Sequence, residues 1–168
     1  MSMVIDVRDL VAQPGSSRAV RLDEAVPGMA TQLASVPDDR PVGADLLLEN
    51  VVDGVLVTGP VSVVMKLSCA RCLKSFDRGF TFEVQELFVP EANPGDDQYP
   101  LGEEGHLDLE PMIRDVVVLA MPFAPLCRPD CQGLCARCGG DRNLRECACP
   151  PEVDVRWAPL LDLKLDEN

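Results

Sequence analysis

Val61-Ser62-Val63-Val64-Met65-Lys66-Leu67-Ser68-Cys69-Ala70-Arg71-Cys72 joins an alternating apolar run to a closely spaced cysteine pair. Val61, Val63, Met65 and Leu67 alternate with Ser62, Val64, Lys66 and Ser68, the period-two pattern of a strand with one buried face. The strand runs straight into a C-x2-C turn, and a second run with Phe76, Phe80, Phe82 and Val84 at even spacing leaves it. The cysteine pair therefore belongs to a turn between two strands. Upstream, the apolar run Leu46 to Val52 meets Asp53-Gly54, a dipeptide suited to a type I′ turn, and Val55-Leu56-Val57-Thr58 follows. A hairpin is expected there. Gly59-Pro60 then predicts a bulge or edge kink. Nearer the N-terminus, Val4 to Leu10 and Ala19 to Leu22 read as short strands around the loop at 13–17.

Downstream, residues 90–106 are acidic and rich in Pro and Gly, the composition of a mobile solvated loop. His106, the sole histidine, reads as a solvated residue beside that loop rather than a metal ligand. One helix is expected over 108–121. Asp108 would be its N-cap, Pro111 fits its first turn, and Leu109, Ile113, Val116, Val117 and Ala120 share a face. Pro122 ends it, and Pro125 keeps the chain extended towards Cys127. The expected fold is α+β: a mainly antiparallel β-sheet with one packed helix, followed by a C-terminal cysteine-rich zinc knuckle. Residues 1–126 form the core, 127–150 the cysteine-rich segment, and 151–168 a tail or short helix with Trp157 as an anchor. The length of 168 residues and 46% hydrophobic content suit a single core.

Eight cysteines are present, six of them between Cys127 and Cys149. The N-terminus lacks the basic start and apolar stretch of a secretory signal, and no apolar run approaches a membrane span, so a cytoplasmic protein is expected. In a reducing compartment such cysteines favour metal over disulfides. Cys135-Ala136-Arg137-Cys138-Gly139 has the form of one half of a tetrahedral zinc site. The segment from Cys127 has few apolar residues besides Leu126, Leu134 and Leu144, so metal would supply its folding free energy. The metal ligands nominated are Cys127, Cys131, Cys135, Cys138, Cys147 and Cys149, with Cys69 and Cys72 as a second site or a functional pair. Zinc is expected, one ion or two.

Spacing leaves three partitions open. Cys127, Cys131, Cys135 and Cys138 could close one site and leave Cys69 and Cys72 with Cys147 and Cys149. The two C-x2-C turns could face each other. Or one zinc could be held by Cys135 and Cys138 with two other C-terminal cysteines, leaving Cys69 and Cys72 free.

The formal charge of −13 argues against nucleic-acid binding by the body of the protein. Residues 66–79 and 127–149, however, carry Lys66, Arg71, Lys74, Arg78, Arg128, Arg137, Arg142 and Arg145 against Asp77, Asp130, Asp141 and Glu146, a net +4 that leaves −17 elsewhere. The eight basic residues are candidates for RNA or partner contact, or counterions of the metal thiolates. Aromatic residues are too sparse for a base-stacking platform.

Three motifs in order carry a resemblance. These are Cys69, Arg71 and Cys72 with Phe76; Leu107-Asp108-Leu109-Glu110-Pro111 with Arg114-Asp115 leading to Ala120-Met121-Pro122; and Cys131-Gln132-Gly133-Leu134-Cys135-Ala136-Arg137-Cys138-Gly139. Together, from about Asp45 to Cys149, the chain resembles the YceD family of large ribosomal RNA subunit accumulation proteins. The resemblance implies a cytoplasmic, non-catalytic protein that supports 23S rRNA levels in large-subunit biogenesis. Its implied partners are large-subunit rRNA or a pre-ribosomal particle, with no membrane; a basic ribosomal protein is a further candidate partner from the −17 remainder alone. Branches of that family keep the first cysteine pair without the later cluster, which favours the third partition.

Two other readings compete. A dithiol redox protein or sensor would use Cys69 and Cys72, but redox C-x2-C pairs lie at a helix N-terminus, not between strands. A nuclease would need organised carboxylates, whereas Asp108, Glu110 and Asp115 read as a cap, a helix-dipole partner and a solvated face.

Overall fold

In the computed structural model, residues 3–91, 98–102, 105–150 and 156 are described. The elements are β1 (Val4–Asp6), α1 (Arg8–Val11), β2 (Ser17–Glu24), β3 (Ala34–Ser35), β4 (Val42–Val51), β5 (Gly54–Ser68), β6 (Ser75–Val89), β7 (Tyr99–Pro100), β8 (His106–Asp108) and α2 (Glu110–Leu119). The main sheet has the order β2-β4-β5-β6-β7 with β3 added against β5, and all its pairs are antiparallel except β6 with β7. β1 and β8 form a separate two-stranded antiparallel ribbon. The α+β class with one principal helix is as the patterning implies.

β5 and β6 make a hairpin of two 15-residue strands in register from Val55↔Phe88 to Ser68↔Ser75. Val55, Val57, Val61, Val63, Met65 and Leu67 are buried on its inner face. This is the alternation read from the sequence. α2 covers that face with Met112, Ile113 and Val117, and Leu109 is buried just before it.

Several local expectations shift. The β4–β5 turn is Val52-Asp53, because Val51 pairs with Gly54, and Gly54 opens the next strand. Glycine is required there by close approach: a Cβ would fall 2.0 Å from the Phe88 carbonyl oxygen. Gly59-Pro60 makes no bulge. The β4–β5 register is the same on both sides of the position where Pro60 has no N–H to donate, and β5 pairs with β6 without a break. Val4 to Leu10 is not one strand but β1 followed by the short helix α1.

α2 is shorter than 108–121, with Leu109 at the N-cap and Ala120 at the C-cap. Asp108 still helps the N-terminus, since its Oδ1 accepts the Glu110 N–H at 3.1 Å. The 90–106 segment contains β7, with Tyr99 stacked on Phe88 at 5.2 Å, and ends in β8, where half-buried His106 pairs with Asp6. Residues 92–97 and 103–104 of that segment lie outside the described residues, as does the tail expected at 151–168, Trp157 included, apart from Arg156. Among the described residues no helix is long and apolar enough to cross a membrane.

Candidate metal centre

The tip of the β5–β6 hairpin is a six-residue loop, 69–74, whose cysteine pair is buried. Its shape follows from two backbone bonds and one unusual dihedral. The Cys69 N–H reaches the Lys74 carbonyl at 2.9 Å, the Leu73 N–H reaches the Cys69 carbonyl at 2.9 Å, and Leu73 has φ +60°. The second C-x2-C repeats the pattern. The Cys135 N–H reaches the Gly140 carbonyl at 2.8 Å, the Gly139 N–H reaches the Cys135 carbonyl at 2.9 Å, and Gly139 has φ +67°. In both turns the first cysteine sulfur also accepts N–H groups from the arginine and the second cysteine of its own Cys-Ala-Arg-Cys. The chain therefore builds the same knuckle twice.

α2 hands the chain to the first knuckle through the proline-bearing run 122–125, where the Pro125 carbonyl accepts the Ala70 N–H at 2.8 Å. Arg78 on β6 donates to the Leu126 carbonyl at 3.1 Å and lies over the Phe76 ring at 5.2 Å. Cys127 and Cys131 thereby arrive beside Cys69 and Cys72. The four Sγ atoms lie within 4.8 Å of one another, with Cys69 and Cys131 at 3.8 Å and Cys72 and Cys127 at 3.7 Å. Phe76, Leu126 and Leu134 close over this tetrad. Cys135, Cys138, Cys147 and Cys149 form a second tetrad, also within 4.8 Å, with Cys138 exposed and the others half-buried.

These dimensions suit a metal. A tetrahedron with metal–sulfur bonds of about 2.3 Å has edges of about 3.8 Å, whereas a disulfide requires about 2.05 Å. All eight cysteines are free thiols. An all-sulfur tetrahedral set is that of zinc or iron. Within each tetrad the thiols are driven apart in acidity. Burial raises Cys69, but the N–H groups of Cys127, Cys72 and Arg71 outweigh it and bring the thiol down to about 6. Cys127 is pushed up to about 12 by burial and by the sulfurs of Cys72 and Cys131. Cys135 falls to about 6 through the N–H groups of Cys138 and Arg137, and Cys149 rises to about 12 through the sulfurs of Cys138 and Cys135. Four thiols this close resist joint ionisation unless a cation shares the site.

None of the three partitions is observed. The outer tetrad agrees with the zinc assigned to Cys135 and Cys138, but Cys69 and Cys72 are not free. They are completed by Cys127 and Cys131, so residues 127–131 belong structurally to the strand turn. Spacing could not reveal this, because the partner cysteines are brought by β-hairpin length and by the proline-bearing run after α2.

The two tetrads are joined by a polar seam. The Leu134 N–H donates to the Arg71 carbonyl at 3.0 Å, and Arg71 Nη1 donates to the Cys131 carbonyl at 2.8 Å. The Lys74 ammonium pairs with Asp141 Oδ2 at 2.7 Å, the only partner of that buried oxygen among the described residues. Lys74 and the N–H groups of Asn143 hold the Asp141 carboxyl down at about 2. Asn143 donates to Cys131 Sγ at 3.5 Å while its Oδ1 accepts from Arg128 and from the Gln132 N–H, both at 2.8 Å. Asn143 and Asp141 orient the ligands from behind, a role for which Asp141-Arg142-Asn143 after the knuckle is the only sequence signal.

The eight nominated basic residues separate accordingly. Arg71, Lys74, Arg78 and Arg128 serve internal contacts. Arg137, Arg142, Arg145 and Lys66 are exposed and their side chains make no hydrogen bond or ion pair among the described residues, Lys66 lying on the strand away from both tetrads.

A family model described as "Large ribosomal RNA subunit accumulation protein YceD" matches residues 57–164, well over half the chain and both tetrads. The chain belongs to the YceD family. Uncharacterized proteins of Mycobacterium tuberculosis and Mycobacterium leprae are 32% and 31% identical to it, each over 96% of this chain and over 81% and 77% of their own. A chloroplastic large ribosomal RNA subunit accumulation protein YCED homolog of Arabidopsis thaliana is 26% identical over 76% of this chain and 50% of its own. No solved structure matches significantly. Membership in YceD ties this protein to the large ribosomal subunit.

Proposed function

We propose that this YceD protein is a non-catalytic factor of large ribosomal subunit biogenesis, acting in the cytoplasm to support 23S rRNA accumulation by binding rRNA through a two-zinc cysteine module. The observation that carries the reading is the pair of four-cysteine tetrads in a chain of this family. All-cysteine tetrahedral sites are closed and leave no position for a reacting water, which favours a scaffold over a hydrolase. Zinc suits the donor set, having no redox chemistry of its own.

The dithiol alternative loses support from geometry. Cys69 and Cys72 are 0% and 5% exposed and face two further sulfurs, so an external disulfide has no path to them.

Charge supports a second partner. When two dications replace eight thiol protons, the formal charge falls from −13 to −17 and the two basic segments fall from +4 to zero. An acidic body of that size suits a basic ribosomal protein, held while RNA is engaged by the module.

Depleting the protein tests the reading. The expected result is a fall in 23S relative to 16S rRNA and co-sedimentation of the protein with large-subunit precursors. Unchanged 23S levels with no co-sedimentation would overturn it.

A further inference from the structure

We infer that the outer knuckle carries the RNA contact: Arg137 and Arg142, which both line a concave surface beside the second tetrad, grip the phosphodiester backbone of single-stranded RNA. This rests on the proposed role in large-subunit biogenesis and assigns it to particular residues.

The surface encloses about 500 Å³ and is lined by Gln132, Ala136, Arg137, Arg142, Glu146 and Pro150 together with cysteines of the outer tetrad. Its frame is fixed by short backbone bonds. The Arg142 N–H is held by the Gly133 carbonyl at 2.9 Å, and Arg137 occupies the middle of the knuckle whose N–H groups point at Cys135 Sγ. The two guanidinium groups are thus carried on rigid backbone. They have no intramolecular acceptor among the described residues, whereas the cations of the inner knuckle do: Arg71, the counterpart of Arg137, is bound to the Cys131 carbonyl, and Lys74 to Asp141. Since the two knuckles share one backbone design, the difference lies in the use of the cations. Inner ones hold the module together; outer ones are available.

Arginine is suited to phosphate by its planar fork of donors. With metal bound the module has no net positive field, so affinity would come from direct contacts rather than from long-range attraction. The salt dependence should therefore be shallow, with a log–log slope of about −1.4 for two phosphates on a single strand.

The experiment uses the full metal-loaded chain and a fluorescent single-stranded fragment of large-subunit rRNA, with anisotropy read between low and moderate salt and metal content measured for each variant. Arg137→Gln/Arg142→Gln should keep two metals, bind RNA about tenfold or more weakly, and flatten the salt slope by about 0.7 for each lost contact. Arg137→Lys/Arg142→Lys should retain part of the binding and the slope. Arg18→Gln/Arg21→Gln on the sheet should leave it unchanged.

Several results would overturn the inference. If the glutamine variant keeps its metals and binds RNA as wild type does, the contact lies elsewhere while the proposed RNA-binding role survives. If it loses a metal, the arginines are counterions of the centre. If a polyglutamate peptide binds as tightly as RNA and is weakened in parallel, the cleft is a general acidic-peptide site. If wild type itself fails to bind RNA, both this inference and the reading beneath it fall.

Discussion

Replacing Gly133 with alanine should weaken the metal module far more than the same change at Gly139. Both glycines are left-handed, at φ +71° and +67°, so each alanine bears a backbone cost of about 1 kcal/mol. At Gly139 that is the whole effect, since a Cβ there meets nothing within 4 Å. At Gly133 the Cβ would stand 2.9 Å from the Arg71 carbonyl oxygen and 3.1 Å from the Arg71 Cβ, and a backbone oxygen cannot swing aside. That oxygen also accepts the Leu134 N–H, so relief of the clash opens the seam between the tetrads. Losing that bond adds about 1 kcal/mol, and the displaced contact a similar amount, for a total of about 2–4 kcal/mol.

Because metal binding and folding of the module are one equilibrium, the loss appears as metal affinity. Competition against a chromophoric chelator should read about a 5-fold weakening for Gly139→Ala and about 30-fold to 1000-fold for Gly133→Ala. Equal losses at the two positions would refute the packing of one knuckle on the other.

Leu73 occupies in the inner knuckle the left-handed position that Gly139 fills in the outer one. Leu73→Gly should tighten inner-site metal binding by up to about 1 kcal/mol in the same competition, the strain relieved exceeding the chain entropy gained by the unfolded state. Chelator challenge of the intact protein should release metal in two phases, the fast phase abolished by Cys135→Ser/Cys138→Ser, because the outer tetrad faces solvent and the inner one is closed by Phe76, Leu126 and Leu134. Asp141→Asn should lower the urea midpoint by the same amount at pH 5, 6 and 7. The folded carboxyl lies at about 2, below its ordinary 3.8, so its contribution is fully present above about pH 4 and is lost only as pH falls through about 2. A difference that changed between pH 5 and 7 would implicate another group.

The long hairpin was legible because β5 alternates strictly and β6 keeps even spacing, so the burial of Val61, Val63, Met65 and Leu67 could be read directly. The helix was legible from Pro111 and the Leu109, Ile113 and Val117 face. β3 and β7, at two residues each, carry no period and exist through their neighbours. Six cysteines were legible as candidate metal ligands, but neither the tetrads nor the place of Cys69 and Cys72 within one of them was. Cys127 meets Cys72 through contacts such as Pro125 with Ala70 and Arg78 with Leu126, which span about fifty residues of sequence. The repeated Cys-Ala-Arg-Cys was the available clue that both pairs form equivalent knuckles. The basic residues misled in part, since charge counts do not separate Arg71 and Lys74, which are bound internally, from Arg137 and Arg142, which are not.

Metal stoichiometry distinguishes two centres from one. Native mass spectrometry of reduced protein, with Cys69→Ser/Cys72→Ser and Cys135→Ser/Cys138→Ser alongside, should give two zinc ions for wild type and one for each double variant. A single zinc in wild type that survives Cys69→Ser/Cys72→Ser, with Cys69 and Cys72 open to alkylation in the native protein, would contradict the two-centre account.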